Sequence, residues 1–184
     1  MEQYFDKEIF SPLGIKDMSF KPHPDKVNWC LEGPDGKYNY LDPLTLSQKA
    51  VLGGAGLRGS PRSYIRLVQA LLRGGELDGQ RILQQSTVDT MYKPQIAESQ
   101  QGGFLMLNQF ILGHYYKELG VQDPDSVKWD FGFGGAWPRE TSAVGRGPGA
   151  LGWTGACSTY WVADREKDIG YSATSALLLR IRKS

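Results

Sequence analysis

Cysteine and histidine are almost missing from this sequence: 184 residues hold only Cys30, Cys157, His23 and His114. Two cysteines cannot build a disulfide framework, and neither stands at a zinc-binding spacing, so a reduced, cytoplasmic protein is expected. The two histidines are far apart and neither lies in a His-Glu-x-x-His context, so no metal and no other cofactor is expected. Also lacking is any apolar run near the roughly 18 residues of a membrane span, and Met1 to Asp6 carry no basic, apolar leader. Excess charge of one sign is missing too, with 21 Lys plus Arg against 20 Asp plus Glu. No basic stripe interleaves with aromatics, so neither nucleic acid nor a membrane is an expected partner. The short basic end Arg180, Arg182, Lys183 reads as a solvated terminus.

Glycine is abundant, at 23 residues, while 40% hydrophobic and 22% charged residues are ordinary for a folded chain. Residues 1–184 are read as one domain, large enough to bury about 70% of the surface its unfolded chain exposes. Met1, Tyr4, Phe5, Glu8 and Ile9 fall at helical spacing, and Pro12 and Gly14 end the pattern. From residue 21 to 45 Pro and Gly are too dense for more than short strands, one near 37–40. The clearest helix spans 61–73, with Ser60 as N-cap, Pro61 in the first position and Gly74-Gly75 as the stop. Its expected inner face is Tyr64, Ile65, Leu67, Val68, Leu71 and Leu72, with Arg62, Arg66, Gln69 and Arg73 outward. A connector over 75–83 leads to a second helix, 87–92, capped by Ser86, and the apolar stretch 104–119 is read as a third.

From residue 128 the pattern changes to a period of two. Trp129, Phe131 and Phe133 alternate with Asp130, Gly132 and Gly134, which predicts one strand over 128–136. Further strands are expected over 150–156, 158–163 and 169–172, with a polar turn over 164–168. Helices followed by an antiparallel meander define an α+β class.

Catalytic motifs are scarce. Gly53-Gly54-Ala55-Gly56 has neither the spacing nor the Lys of a phosphate loop, no Gly-x-Ser-x-Gly elbow occurs, and Cys157 has no adjacent base and reads as a small buried thiol. More informative is Gly152-Trp153-Thr154-Gly155-Ala156, where two glycines flank an aromatic on a strand. Missing Cβ atoms there would let an acyl group approach the backbone; a strand packed against a helix would look the same. Three other segments precede it in fixed order: Ile9-Phe10-Ser11-Pro12-Leu13-Gly14-Ile15-Lys16-Asp17, Gly53 to Ser60, and Leu71-Leu72-Arg73-Gly74-Gly75-Glu76-Leu77-Asp78-Gly79.

This series resembles the serine β-lactamase-related family, in its class C β-lactamase and esterase branch. It looks especially similar to fungal esterases and to the acyltransferases, or transesterases, of statin-type polyketide pathways. The resemblance runs from about Glu2 to Asp168. It implies a β-lactamase and transpeptidase-like fold, an antiparallel sheet flanked by helices, and acyl-enzyme chemistry on a small-molecule ester or thioester. Trp153-Thr154-Gly155 then stands where the family has its substrate-contacting Lys-Thr-Gly, and Trp for Lys points to esterase-like members. The resemblance makes the backbone N–H of Ala156 one oxyanion-hole donor, a contribution of about 2.7–4 kcal/mol to the transition state.

Two family motifs are not found. No Ser-x-x-Lys and no Tyr-x-Asn occurs in the 184 residues, so no nucleophile is assigned and the chain alone is expected to be inactive. The sequence is therefore read as the C-terminal portion of such a domain, incomplete as a fold, with 169–184 as a divergent tail. A non-catalytic remnant or acyl-binding module is the competing reading. An unpaired sheet edge is expected to promote self-association. Trp129 and Trp161 are candidates to join Trp153 in an acyl pocket, with core packing the equal or better reading for Trp161.

Overall fold

A computed structural model of the chain describes residues 1–21, 29–32, 38–41, 56–97, 129–141, 145–155, 159–174 and 177–178. Ala156, Cys157, the expected helix over 104–119 and most of the punctuated 21–45 stretch lie outside the described residues.

The chain starts in helix α1, Glu2–Phe5, and continues into a π-helical turn, Asp6–Phe10. Gly14, at φ +63°, ends it, and the Ile15 N–H closes on the Phe10 carbonyl at 2.8 Å. The wide turn lets Phe10, Leu13 and Ile15 point inward together, where they pack with Ala70 and Leu77. Phe5 meets Phe10 edge-on, with centroids 5.9 Å apart. An isolated bridge between Ser19 and Arg58 then brings this segment to the start of the next helix.

Helix α2, Pro61–Leu72, forms as its sequence predicts, and Ser60 Oγ accepts the Ser63 N–H at 3.2 Å. Beyond the helix the Gly75 N–H reaches the Ala70 carbonyl at 2.7 Å. Arg66, expected outward, instead folds back: its Nε donates to the Leu13 carbonyl and its Nη2 meets Asp78 at 2.6 Å. The connector after α2 is a hairpin of β3, Glu76–Leu77, and β4, Gln80–Arg81. Asp78 and Gly79 turn it with φ of 51° and 75°, the left-handed pair that an Asp-Gly dipeptide accepts at low cost. Helix α3, Gln85–Met91, starts two residues before the expected position. Gln84 is its N-cap and no side chain caps it; Ser86 lies inside the helix, where its carbonyl accepts the Thr90 hydroxyl.

Two sheets carry the remaining strands. In the smaller, β1, Trp29–Glu32, pairs antiparallel with β2, Tyr38–Leu41, the latter close to the strand expected near 37–40. The larger is an antiparallel meander: β5, Trp129–Phe131, β6, Ala136–Pro138, β7, Ala150–Gly155, β8, Thr159–Asp164, and β9, Ile169–Thr174. Finally β10, Leu177–Leu178, returns to lie parallel to β1.

The single strand expected over 128–136 is thus two strands. The Gly132 N–H bonds to the Gly135 carbonyl at 2.8 Å and reverses the chain. Gly132 and Gly135 are needed for close backbone contact, because a Cβ would sit 1.9 Å from the Met91 oxygen on one and 2.4 Å from the Gly152 oxygen on the other. The alternation is real only through Phe131. Phe133 consequently stands at the hairpin tip, 70% exposed.

Helix α2 covers one face of β8 and β9. Leu151, Ala163 and Gly170 are register partners and share that face, since directly opposed residues point the same way. Gly170 sits where a Cβ would lie 2.8 Å from the Val68 and Leu72 methyl groups. Buried Val68, Leu71, Leu151 and Ala163 make this layer the main core.

Candidate functional site at the outer edge of strand β7

The register of β7 positions the Gly152 to Gly155 segment. On one side β7 is zipped to β8 along its whole length, from Ala150 opposite Asp164 to Gly155 opposite Thr159. On the other side the ladder with β6 consists of a single pair, Ala136 opposite Gly152. Beyond Gly152, residues 153–155 have no ladder partner on that side among the described residues. An exposed strand edge presents backbone N–H and C=O groups to whatever lies beside it.

Alternation along β7 sends the two motif side chains to opposite faces. Trp153, opposite Trp161, shares the α2 face with Leu151; Thr154, opposite Tyr160, takes the other. Both are half-buried. The Trp153 and Phe131 rings meet edge to face, with centroids 5.2 Å apart and planes at 83°. Trp161 is half-buried and packs on Tyr64 of helix α2, with ring centroids 6.2 Å apart. Trp129 is buried and lies under the Arg146 guanidinium, 5.1 Å from ring centre to Cζ. Phe131 is the ring in contact with Trp153, and Trp161 is its cross-strand neighbour. The space left by the absent Cβ of Gly152 is taken by the chain itself, since a Cβ would lie 2.3 Å from the Trp161 oxygen and 2.9 Å from Arg146 Nη2.

Arg146 is the residue that sequence reasoning passed over. It lies in the loop Gly145-Arg146-Gly147-Pro148-Gly149 and is 6% exposed. Its Nε and Nη2 donate to the Ala150 carbonyl at 2.9 and 2.6 Å, Nη2 also donates to the Ala136 carbonyl, and Nη1 reaches the Tyr160 hydroxyl at 3.3 Å. One planar fork of donors therefore joins β6, β7 and β8 where the β6–β7 ladder is thin. Lys167 holds the same loop from the far side, donating to the Gly145 carbonyl at 2.6 Å. Its turn is set by Asp164, whose Oδ1 accepts the N–H groups of Glu166 and Lys167 at 3.1 Å.

Polar groups elsewhere are engaged in holding the fold. The Tyr92 hydroxyl donates to the Ala163 carbonyl at 3.1 Å beneath Arg165, and burial pushes its pKa up to about 12. Burial does the same to Tyr64, also to about 12. Neither phenol is poised as a base near neutral pH. Burial raises the Asp17 carboxyl, but hydrogen bonds from Ser60 and Ser63 outweigh it and leave it below the usual carboxylate value. Ser60 is thereby committed to the helix start, and Ser142 and Ser158 lie outside the described residues. Among the described residues no group of three or more His, Cys, Asp or Glu could hold a metal ion, and no helix is long and apolar enough to cross a membrane.

An antiparallel sheet covered by a helix, with a Trp-Thr-Gly strand open on one edge among the described residues, agrees with the β-lactamase and transpeptidase-like fold of the relatives it matches. The family description Beta-lactamase matches residues 1–178, and the chain belongs to that family. The match runs past Asp168, where the resemblance was expected to end, and takes in β9. Monacolin J acid methylbutanoyltransferase of Aspergillus terreus is 29% identical over 144 residues, covering 73% of this chain and 33% of that protein. Lovastatin esterase of Penicillium rubens is 25% identical, covering 96% of this chain and 45% of that protein. The LovD6 mutant of simvastatin synthase from Aspergillus terreus superposes with a TM-score of 0.75 at 28% identity, over 96% of this chain and 44% of that one. The chain thus spans between a third and a half of the length of these relatives, a partial coverage that fits an incomplete fold.

Proposed function

We propose that this chain supplies the substrate-side wall of a serine acyl hydrolase or acyltransferase that acts through an acyl-enzyme on ester or thioester substrates in fungal polyketide metabolism. The observation that carries the reading is the open edge of β7 at Trp153-Thr154-Gly155. An acyl carbonyl laid along this edge meets backbone donors, with the Ala156 N–H as the oxyanion contact, while Trp153 and Thr154 flank it from the two faces. Trp in place of a cation favours an uncharged acyl group over the carboxylate of a β-lactam. The relatives named above as a methylbutanoyltransferase and an esterase support the same chemistry. The nucleophile belongs to a Ser-x-x-Lys segment that these 184 residues do not contain. That lack supports one competing reading, an acyl-binding module without catalysis, at work in the cytoplasm as the enzyme would be.

Labelling with a fluorophosphonate separates the two. Purified residues 1–184 are expected to take no label and to give no p-nitrophenol burst from short acyl esters. Adding a separately made segment of a relative that carries Ser-x-x-Lys and the Tyr motif is expected to restore labelling. No restoration favours the binding module. Labelling of this chain alone, abolished by one Ser→Ala change, would overturn both.

A further inference from the structure

We infer that Phe131 is the residue that sets the acyl-chain size accepted beside Trp153, an inference that rests on the acyl-site reading above. Three observations converge on it. Its ring stands at 83° to Trp153 with centroids 5.2 Å apart, so the two rings make an inside corner of aromatic surface. Both residues are half-buried, which leaves part of each ring accessible. Phe131 is also the last residue of β5 before the glycine hairpin, and it is fixed from behind: the Gln95 N–H donates to its carbonyl at 2.8 Å, and Ala136 is its register partner.

The corner lies where the β6–β7 ladder gives out. Ala136 opposite Gly152 is the last pair, and Trp153 is the first β7 residue beyond it. An acyl carbonyl on the 153–155 edge would direct its chain toward this corner, and the Phe131 ring would limit how far a branched or lengthened chain extends. Phe133 at the exposed tip and the buried Trp129 do not form that corner.

The test uses the full chain labelled with 15N, whose five tryptophans give five indole N–H resonances, with Trp153→Phe identifying the one to follow. The probes are N-acetylcysteamine thioesters of acetyl, 2-methylbutanoyl and octanoyl groups. The wild-type chain is expected to shift the Trp153 resonance most tightly with the short branched thioester. Phe131→Ala is expected to weaken that probe about three- to tenfold, the scale of one aromatic contact, and to move the preference to octanoyl. Phe131→Leu keeps an apolar side chain should the alanine variant fail to fold, and is expected to fall between. Binding by wild type with the same chain-length order in both folded variants would overturn the role of Phe131 and leave the acyl site standing. No shift of the Trp153 resonance with any thioester would overturn the acyl-site reading and this inference with it.

Discussion

Arg146 illustrates how one side chain can stand in for a missing backbone ladder. A buried guanidinium is costly unless its donors are met, and here carbonyls of two strands, a tyrosine hydroxyl and an indole face meet it. Arg146→Leu keeps some volume yet strands the Ala136 and Ala150 oxygens in the interior. It is expected to lower stability by about 2–4 kcal/mol in urea denaturation, whereas Arg62→Leu on the exposed side of α2 is expected to fall within about 0.5 kcal/mol. Little of this was legible in the sequence. A loop arginine between glycines reads as solvated, because its partners, Ala136 and Tyr160, lie ten and fourteen residues away on different strands. Trp153, by contrast, was visible from its flanking glycines, although Gly152 serves a different purpose from the one the pattern suggests. Gly152 makes way for Trp161 and Arg146, not for a ligand.

Among the elements, α2 was the most legible, because its start, stop and apolar stripe are all local signals. Strands β7 and β8 were legible in outline, between the glycine-rich loop before residue 150 and the polar turn over 164–168. The β5–β6 hairpin was hidden: a Gly-Phe-Gly-Gly sequence looks like strand alternation, and only the Met91 and Gly152 backbones show why glycine is required. The Asp-Gly turn after β3 was a readable hairpin signal that the short two-residue strands obscured. The contact of α2 with β9 gives an element-scale prediction. Gly170→Ala adds a methyl group at 2.8 Å from Val68 and Leu72, and overpacking of that kind costs about 1–3 kcal/mol. Thermal melts are expected to show the loss, and Gly170→Ala combined with Leu72→Ala is expected to recover part of it. A sum of the two single losses would argue that α2 and β9 do not press on each other there.

At the scale of the molecule, the five-stranded sheet runs from β5 to β9 with no further neighbour at either edge among the described residues. Strand β9 is six residues long and carries Ile169 and Tyr171 at 54% and 43% exposure. A strand of that length, without Pro or Lys to blunt it, is suited to pair with another chain. The isolated chain is expected to elute above its monomer size, and Ile169→Lys to shift it toward monomer. A wild-type monomer with a cooperative melt would count against the idea.

The order in which this molecule completes itself follows from the position of β10. The smaller sheet joins Cys30 to Leu177 in parallel, so its two partners lie far apart along the chain, with the whole meander between them. Pairings between distant parts of a chain form slowly, because loop-closure entropy is lost before any contact compensates for it. The meander from β5 to β9, built from neighbouring strands, needs only short loop closures, while the β1–β2 hairpin waits for a third strand that follows the whole meander in the sequence. The seam between β1 and β10 is therefore expected to close after the meander, and the span during which β1 stands without β10 is the time when a chaperone has most to protect.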